Sequence, residues 1–391
     1  MALLIDQPDT RDMEMKIAEP VLALAALAAA ATLPAAGAPL TDDASIAQHA
    51  VFVMTNDAEA NQVVAFERAP NGTLHSSHRY PTGGRGSGGT VDPLGSQGSL
   101  TLSEDGTYLL ATNAGSGDLS VFHVFGAHLA LADRVASGGS EPNAVAQHGR
   151  LVYVLNTAGS SSVVGFQLRD GRLTRIPDSL RFLSGNFVNS ASLAFSPDGR
   201  FLVVTERATN SIDVFRVQSD GRLSSISVNP GVGTGTFSAV FAPNGTALVS
   251  ETGGPGPASS TISSYAVQSS GRLEPISAAV PTLGAANCWN VVTPNGRFVY
   301  VSNAGTSSIS GFVIGPNGVL TPLPGTVLAL NPAGSTNLDI AVSADGVFLY
   351  SLNAAAGTVG IFQIQPDGFL TNFGTLNGLP AGAGLNGIAA N

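Results

Sequence analysis

Hydrophobic positions along the chain fall into short, nearly continuous runs such as FLVV and FVYV, bounded by glycine, asparagine, aspartate or serine. Apolar runs this short between turn residues read as strands covered on both faces. Seven runs end in related tetrads, VMTN, LATN, YVLN, VVTE, LVSE, YVSN and YSLN, whose last residues are Asn56, Asn113, Asn156, Glu206, Glu251, Asn303 and Asn353. They recur every 43 to 57 residues, which marks an internal repeat. Every tetrad but the first is preceded by a turn ending in glycine (SEDG, AQHG, SPDG, APNG, TPNG, SADG). Every one is followed by a second apolar segment, from QVVAFER in the first copy to TVGIFQI in the last. A further turn, usually Asn-Gly, Asp-Gly or Ser-Gly, then stands two residues before a leucine, as at Leu74, Leu173 and Leu370.

A strand before the glycine turn, one after it, one after the tetrad and one after the last turn make four antiparallel strands in about 45 residues, the size of a propeller blade. The fold class is therefore all-β, a seven-bladed β-propeller of four-stranded antiparallel blades. The first copy begins at Ala50-Val51-Phe52 with no innermost strand before it. The last is followed by an orphan stretch, Asn386-Gly387-Ile388-Ala389-Ala390. A C-terminal strand completing blade one removes two open edges and closes the ring, giving one domain over residues 45–391.

Composition narrows the partners. Of 391 residues, 43% are hydrophobic and 11% charged, and the net charge of −10 repels a phosphate backbone, so nucleic acid is not expected. A single cysteine, Cys288, allows no internal disulfide, so packing and strand pairing must close the fold. The apolar stretch Val21 to Leu33 is shorter than the about 20 residues that span a bilayer, and Ala36-Gly37-Ala38 follows it as a small-residue cleavage site. Residues 1–38 thus read as a secretory leader with no membrane span, started at Met1 or Met15, and the protein as secreted or periplasmic.

The glycine turns and the last turns of the blades share one face of the ring. The connections after the tetrads and the links between blades share the other, and their variable sequences make it the face for function. One such link, GGRGSGGT (Gly83–Thr90), has the Gly-x-Gly-x-x-Gly spacing of a dinucleotide fingerprint. It precedes VDPLGSQGSLTLSEDG, which opens no helix, so it reads as a connector. Glu206 and Glu251 replace asparagine at the tetrad end in adjacent blades, and neighbouring acids can shift one another toward acid or base work. Arg207 adds an anion partner. Trp289 and Asp339 begin the inner strands of blades six and seven at the same mouth. His75 and His78 sit on an outer strand without carboxylates, and no Gly-x-Ser-x-Gly elbow occurs. No metal site follows, and no cofactor, whether quinone, haem or flavin, is signed for.

Over residues 50–391 the chain resembles the seven-bladed lactonase-like propellers, the family of 6-phosphogluconolactonase and the carboxymuconate cyclases, and within it an exported bacterial branch. The likeness is carried by LVVTERATNSIDVF, LVSE with TISSY, CWNVVTPNGRFVYVSNAGTSSISGF and GLPAGAGLNGIAAN, and the tetrads are similar to that group's YVTN repeats. The resemblance implies a lactone-opening or cyclising site at the channel. Where characterised relatives carry histidine and arginine before an inner strand, this chain has Val188-Asn189-Ser190-Ala191-Ser192 and Thr234-Gly235-Thr236-Phe237-Ser238, which counts against a phosphosugar lactone. Two functions are expected. In the first, an exported hydrolase opens a sugar-derived or aromatic lactone, with Glu206 or Glu251 as general base, Arg207 holding the oxyanion, and Trp289, Asp339 and Asn189 binding the ligand. In the second, a non-catalytic propeller holds a carbohydrate or protein partner at the cell surface.

Overall fold

The computed structural model describes residues 49–391; the leader read at 1–38 lies outside the described residues. Every regular element among the described residues is a strand. They form seven sheets built on four strands, running outward in chain order in six of them, and the innermost strands of successive sheets touch one another in a closed cycle around an axis. Blade four shows the pattern: Ser190–Phe195 lies innermost, then Phe201–Glu206, Ser211–Arg216 and the edge strand Ser227–Pro230. Blade three adds a two-residue strand, Arg181–Phe182, where Pro177 has ended its outer strand at Arg175.

Burial follows position in the blade. Second strands such as FLVVTE and FVYVSN are buried at every residue, because both faces of the sheet are covered by neighbouring blades. Fourth strands such as LHSSHRYP face water along most of their length. Inner strands carry small residues, among them Ser190, Ser192 and Ser238, since seven of them converge on one narrow axis. In blades three to seven the register slips at the start of the inner strand, as between Asn287 and Trp289 or Asn337 and Ile340. Such bulges re-aim the side chains beside them.

The tetrads lock each blade on both sides. Where the first residue is tyrosine, its hydroxyl donates to a carbonyl in the last turn of the next blade: Tyr153 to Gly221 at 2.8 Å, Tyr300 to Gly368 at 2.8 Å and Tyr350 to Gly72 at 3.0 Å. The last residue packs against the link from the preceding blade. A Cβ on Gly84, Gly139 or Gly284 would lie within 2.5 Å of the side chain of Asn113, Asn156 or Asn303, so these links need glycine.

The ring closes as the sequence predicts. Ile388–Ala390 pairs antiparallel with Ala50–Met54, matching Val51 with Ala390 and Val53 with Ile388, and becomes the innermost strand of blade one. A buried Arg68 reaches from blade one to Asp345 of blade seven at 2.8 Å across the same seam.

Candidate active site

The eighteen residues linking blades one and two, Thr82 to Ser99, do more than connect. Asp92-Pro93-Leu94-Gly95 forms a turn with proline at its second position and the Gly95 N–H donating to the Asp92 carbonyl at 3.3 Å. The chain then crosses the axis. The Gln97 N–H donates to the Ala191 carbonyl of blade four at 2.9 Å, while its side-chain amide donates to the Asn290 carbonyl of blade six at 2.8 Å and accepts from the Asn290 N–H at 3.2 Å. Glycine makes this path possible: a Cβ on Gly86 would lie 2.2 Å from the Asn56 backbone. The apparent fingerprint therefore serves close chain packing.

Above this floor opens a cavity of about 450 Å³, on the face that carries the tetrad ends and the inter-blade links. Val91 and Asp92 line it from the link, Arg207 and Thr252 from the ends of second strands in blades four and five, and Ala286, Cys288 and Trp289 from blade six. Leu338 and Thr336 close it from blade seven. A separate cavity of about 470 Å³ lies among the glycine turns, where Asp198 is already paired with Arg200 at 2.6 Å.

Among the described residues, Asp92 and Arg207 are the only charged side chains lining the first cavity. Burial pushes the Asp92 carboxyl up to about 7, against the opposing pull of the Arg207 guanidinium, the Gly95 N–H and the Asn386 amide, which donates to Asp92 Oδ1 at 3.3 Å. Arg207 is held on two sides. The Asn189 amide, with its oxygen toward the guanidinium, accepts from Nη2 at 3.0 Å and Nε at 3.3 Å, and the Phe237 ring lies under the cation at 5.5 Å. Phe237 in turn meets Trp289 edge to face at 5.2 Å, and the Trp289 indole N–H donates to the Ser96 carbonyl at 2.9 Å. The wall behind the two charges is thus fixed from blades four, five and six and from the crossing link.

Arg207, Trp289 and Asn189, read from sequence as site residues, meet here, Asn189 through Arg207. Trp289 is fully buried and forms the wall behind the cavity, with no open face for stacking. Asp339 is buried just beneath, accepting the Ile388 N–H of the closing strand at 3.3 Å. Burial raises its carboxyl to about 7, and Asp92 adds to the rise. Burial also pushes the Cys288 thiol up, so it stays protonated.

Glu206 and Glu251 lie elsewhere. Neither lines the cavity, both are fully buried, and each is saturated with donors. Glu206 accepts from the Ser184 N–H at 2.9 Å, the Ser184 hydroxyl and Thr209 Oγ1 at 2.6 Å. Glu251 accepts from the Gly233 N–H at 2.8 Å, Ser263 Oγ at 2.6 Å and the Thr261 hydroxyl. They fill the same clamp as the tetrad asparagines. Asp92, which sequence reasoning passed over, supplies the cavity's carboxyl.

Comparison with known proteins agrees with the architecture. No curated protein matches the chain. Among solved structures, the periplasmic gluconolactonase of Pseudomonas aeruginosa superposes with a TM-score of 0.63 at 18% identity, covering 86% of this chain and 98% of that one. A putative 6-phosphogluconolactonase from Bacteroides uniformis gives 0.61 at 19% identity, covering 88% and 100%. A functionally unknown protein from Desulfotomaculum acetoxidans gives 0.63 at 15% identity, covering 87% and 98%. At these identities the likeness shows the fold. The sequence itself matches the family described as Lactonase, 7-bladed beta-propeller, over residues 48–190, 160–290 and 258–378, and the chain belongs to that family.

Proposed function

We propose that this protein is an exported hydrolase that opens a lactone ring in the cavity between Asp92 and Arg207. The observation that carries the reading is one carboxyl, raised to about 7, within electrostatic reach of one fixed guanidinium in a cavity otherwise free of charge. Export rests on the leader read in the sequence and on the periplasmic gluconolactonase among the structural relatives.

Asp92 in its ionised form removes a proton from water as the water oxygen attacks the lactone carbonyl carbon. The carbonyl π electrons move onto oxygen, and Arg207, permanently charged and already oriented by Asn189 and Phe237, stabilises the oxyanion without reorganising. When the carbonyl re-forms, the ring C–O bond breaks, and Asp92 returns its proton to the departing alkoxide. The product is a hydroxy acid. A base whose pKa lies near neutrality suits both proton transfers.

The test is lactone hydrolysis by the purified protein and its variants at pH 8. Asp92→Asn is expected to lose about 10² to 10⁴ in kcat/KM and Arg207→Gln about 10² to 10³. Full activity in Asp92→Asn would refute the assignment of the base. A folded wild-type protein that opens no lactone would leave the second reading, a propeller that binds a glycan or protein partner at the cell surface.

A further inference from the structure

Resting on the hydrolase reading, we propose that the substrate is a lactone bearing an apolar alkyl or acyl tail, and that the tail lies along an apolar rim outside the cavity. Two independent features lead there, one inside the cavity and one around it.

Inside, the lining beyond Asp92 and Arg207 is predominantly apolar, with Val91, Ala286, Trp289 and Leu338 among it, and its hydroxyls are those of Thr252, Ser307 and Thr336. A polyhydroxy sugar lactone would meet three side-chain hydroxyls in a lining otherwise dominated by groups that cannot bond it, and a phosphate would have to share one guanidinium already committed to Asn189 and beside Asp92. The chain's net charge of −10 adds to that penalty.

On the face that carries the cavity, apolar side chains stand exposed on the links between blades. Phe187 is 76% exposed, Leu283 52% and Val91 45%, and Val232 lies open to water on the link between blades four and five. Strand topology puts all these links on the face of the cavity. Val91 belongs to both sets, lining the cavity and open to water, so the apolar lining reaches the solvent at this residue. Phe187 comes two residues before Asn189, and Leu283 three before Ala286. Water-facing phenylalanine and leucine at these positions leave a tail an apolar path out of the cavity.

A series of δ-lactones from δ-valerolactone to δ-decalactone, with δ-gluconolactone and 6-phosphogluconolactone beside it, tests this. kcat/KM is expected to rise about threefold to fourfold for each of the first few methylenes buried, and both sugar lactones to fall below δ-decalactone. Phe187→Ser and Leu283→Ser are expected to leave δ-valerolactone turnover unchanged and to flatten the rise. A flat series, or a preference for either sugar lactone, overturns the substrate class while the hydrolase reading survives. Trp289, the single tryptophan, gives binding without turnover when its fluorescence is titrated with the same series in Asp92→Asn. Tail-dependent binding with no turnover by the wild type would sink the hydrolase reading and keep the apolar ligand. Absence of both would sink the two together.

Discussion

Glu206 and Glu251 occupy the position that asparagine fills in five blades, and a carboxylate there meets backbone and hydroxyl donors rather than a ligand. The asparagines use the same neighbourhood: Asn113 donates to Ser120 Oγ at 2.8 Å and Asn303 to Ser310 Oγ at 2.9 Å. Blade three has Val164 opposite Val154 in that slot, and the Asn156 amide there finds no partner. In blade four the slot holds Asp213, fully buried, its oxygens without a donor. Burial, then the Glu206 carboxylate beside it, raises Asp213 to about 9, so it remains protonated. The two glutamates are thus structural clamps. Glu251→Ala leaves the buried Gly233 N–H and the Ser263 hydroxyl without their acceptor, and a loss of about 1 to 3 kcal/mol in stability is expected, read as a lower denaturant midpoint with unchanged kcat/KM. The slot was legible in the sequence because it repeats; its chemistry was not. Nor was Asp92 legible, because its rise comes from burial that only the fold creates, and it is met by partners as distant as Asn386, 294 residues along the chain.

The elements that build the site are the two that depart from the repeat. One is the link from blade one to blade two, whose crossing of the axis supplies Asp92 and the Ser96 carbonyl that anchors Trp289. Its signal in the sequence was length, since the interval from Asn56 to Asn113 is the longest of the six, and a long irregular segment in a compact fold calls for a reason. Reading only its glycines made it a connector. The other is the C-terminal strand, whose role could be read from the missing inner strand of the first copy. It also reaches the site: Asn386 bonds Asp92 and Ser99, and Ile388 bonds Asp339. Deleting residues 386–391 is expected to lower the melting temperature by exposing an edge in blade one, and to remove activity in whatever fraction stays folded. Full activity in the truncated chain would separate the closing strand from the site.

Across the whole molecule, protonation links the site to the ring. Asp92 and Asp339 titrate near 7 and Asp213 near 9 when folded, against about 3.9 in an unfolded chain. The folded form therefore holds protons that the unfolded chain releases. The stability they contribute is complete below about pH 4 and declines as pH rises through the folded values. On the acid side, Asp57, Asp105, Asp198, Asp220 and Asp345 are all held below the usual range by hydrogen bonds, and their contribution is lost as pH falls below about 4. The melting temperature should fall from pH 5 to pH 9, and Asp213→Asn should flatten the part above pH 7. A melting temperature independent of pH would contradict the three raised carboxyls. The seven blades, their strand order and the closing strand were readable because each repeat states the same pattern. The cavity was not, because it arises where the non-repeating segments meet.

Stability and the proposed chemistry then run in opposite directions with pH, since Asp92 works as a base only when its proton has gone. The most direct test is the pH dependence of kcat/KM for lactone hydrolysis between pH 5 and 9, in wild type and in Asp92→Asn. A single rise with its midpoint near 7 in the wild type, absent from the variant, is the predicted result. The same rise in both proteins would place the base elsewhere.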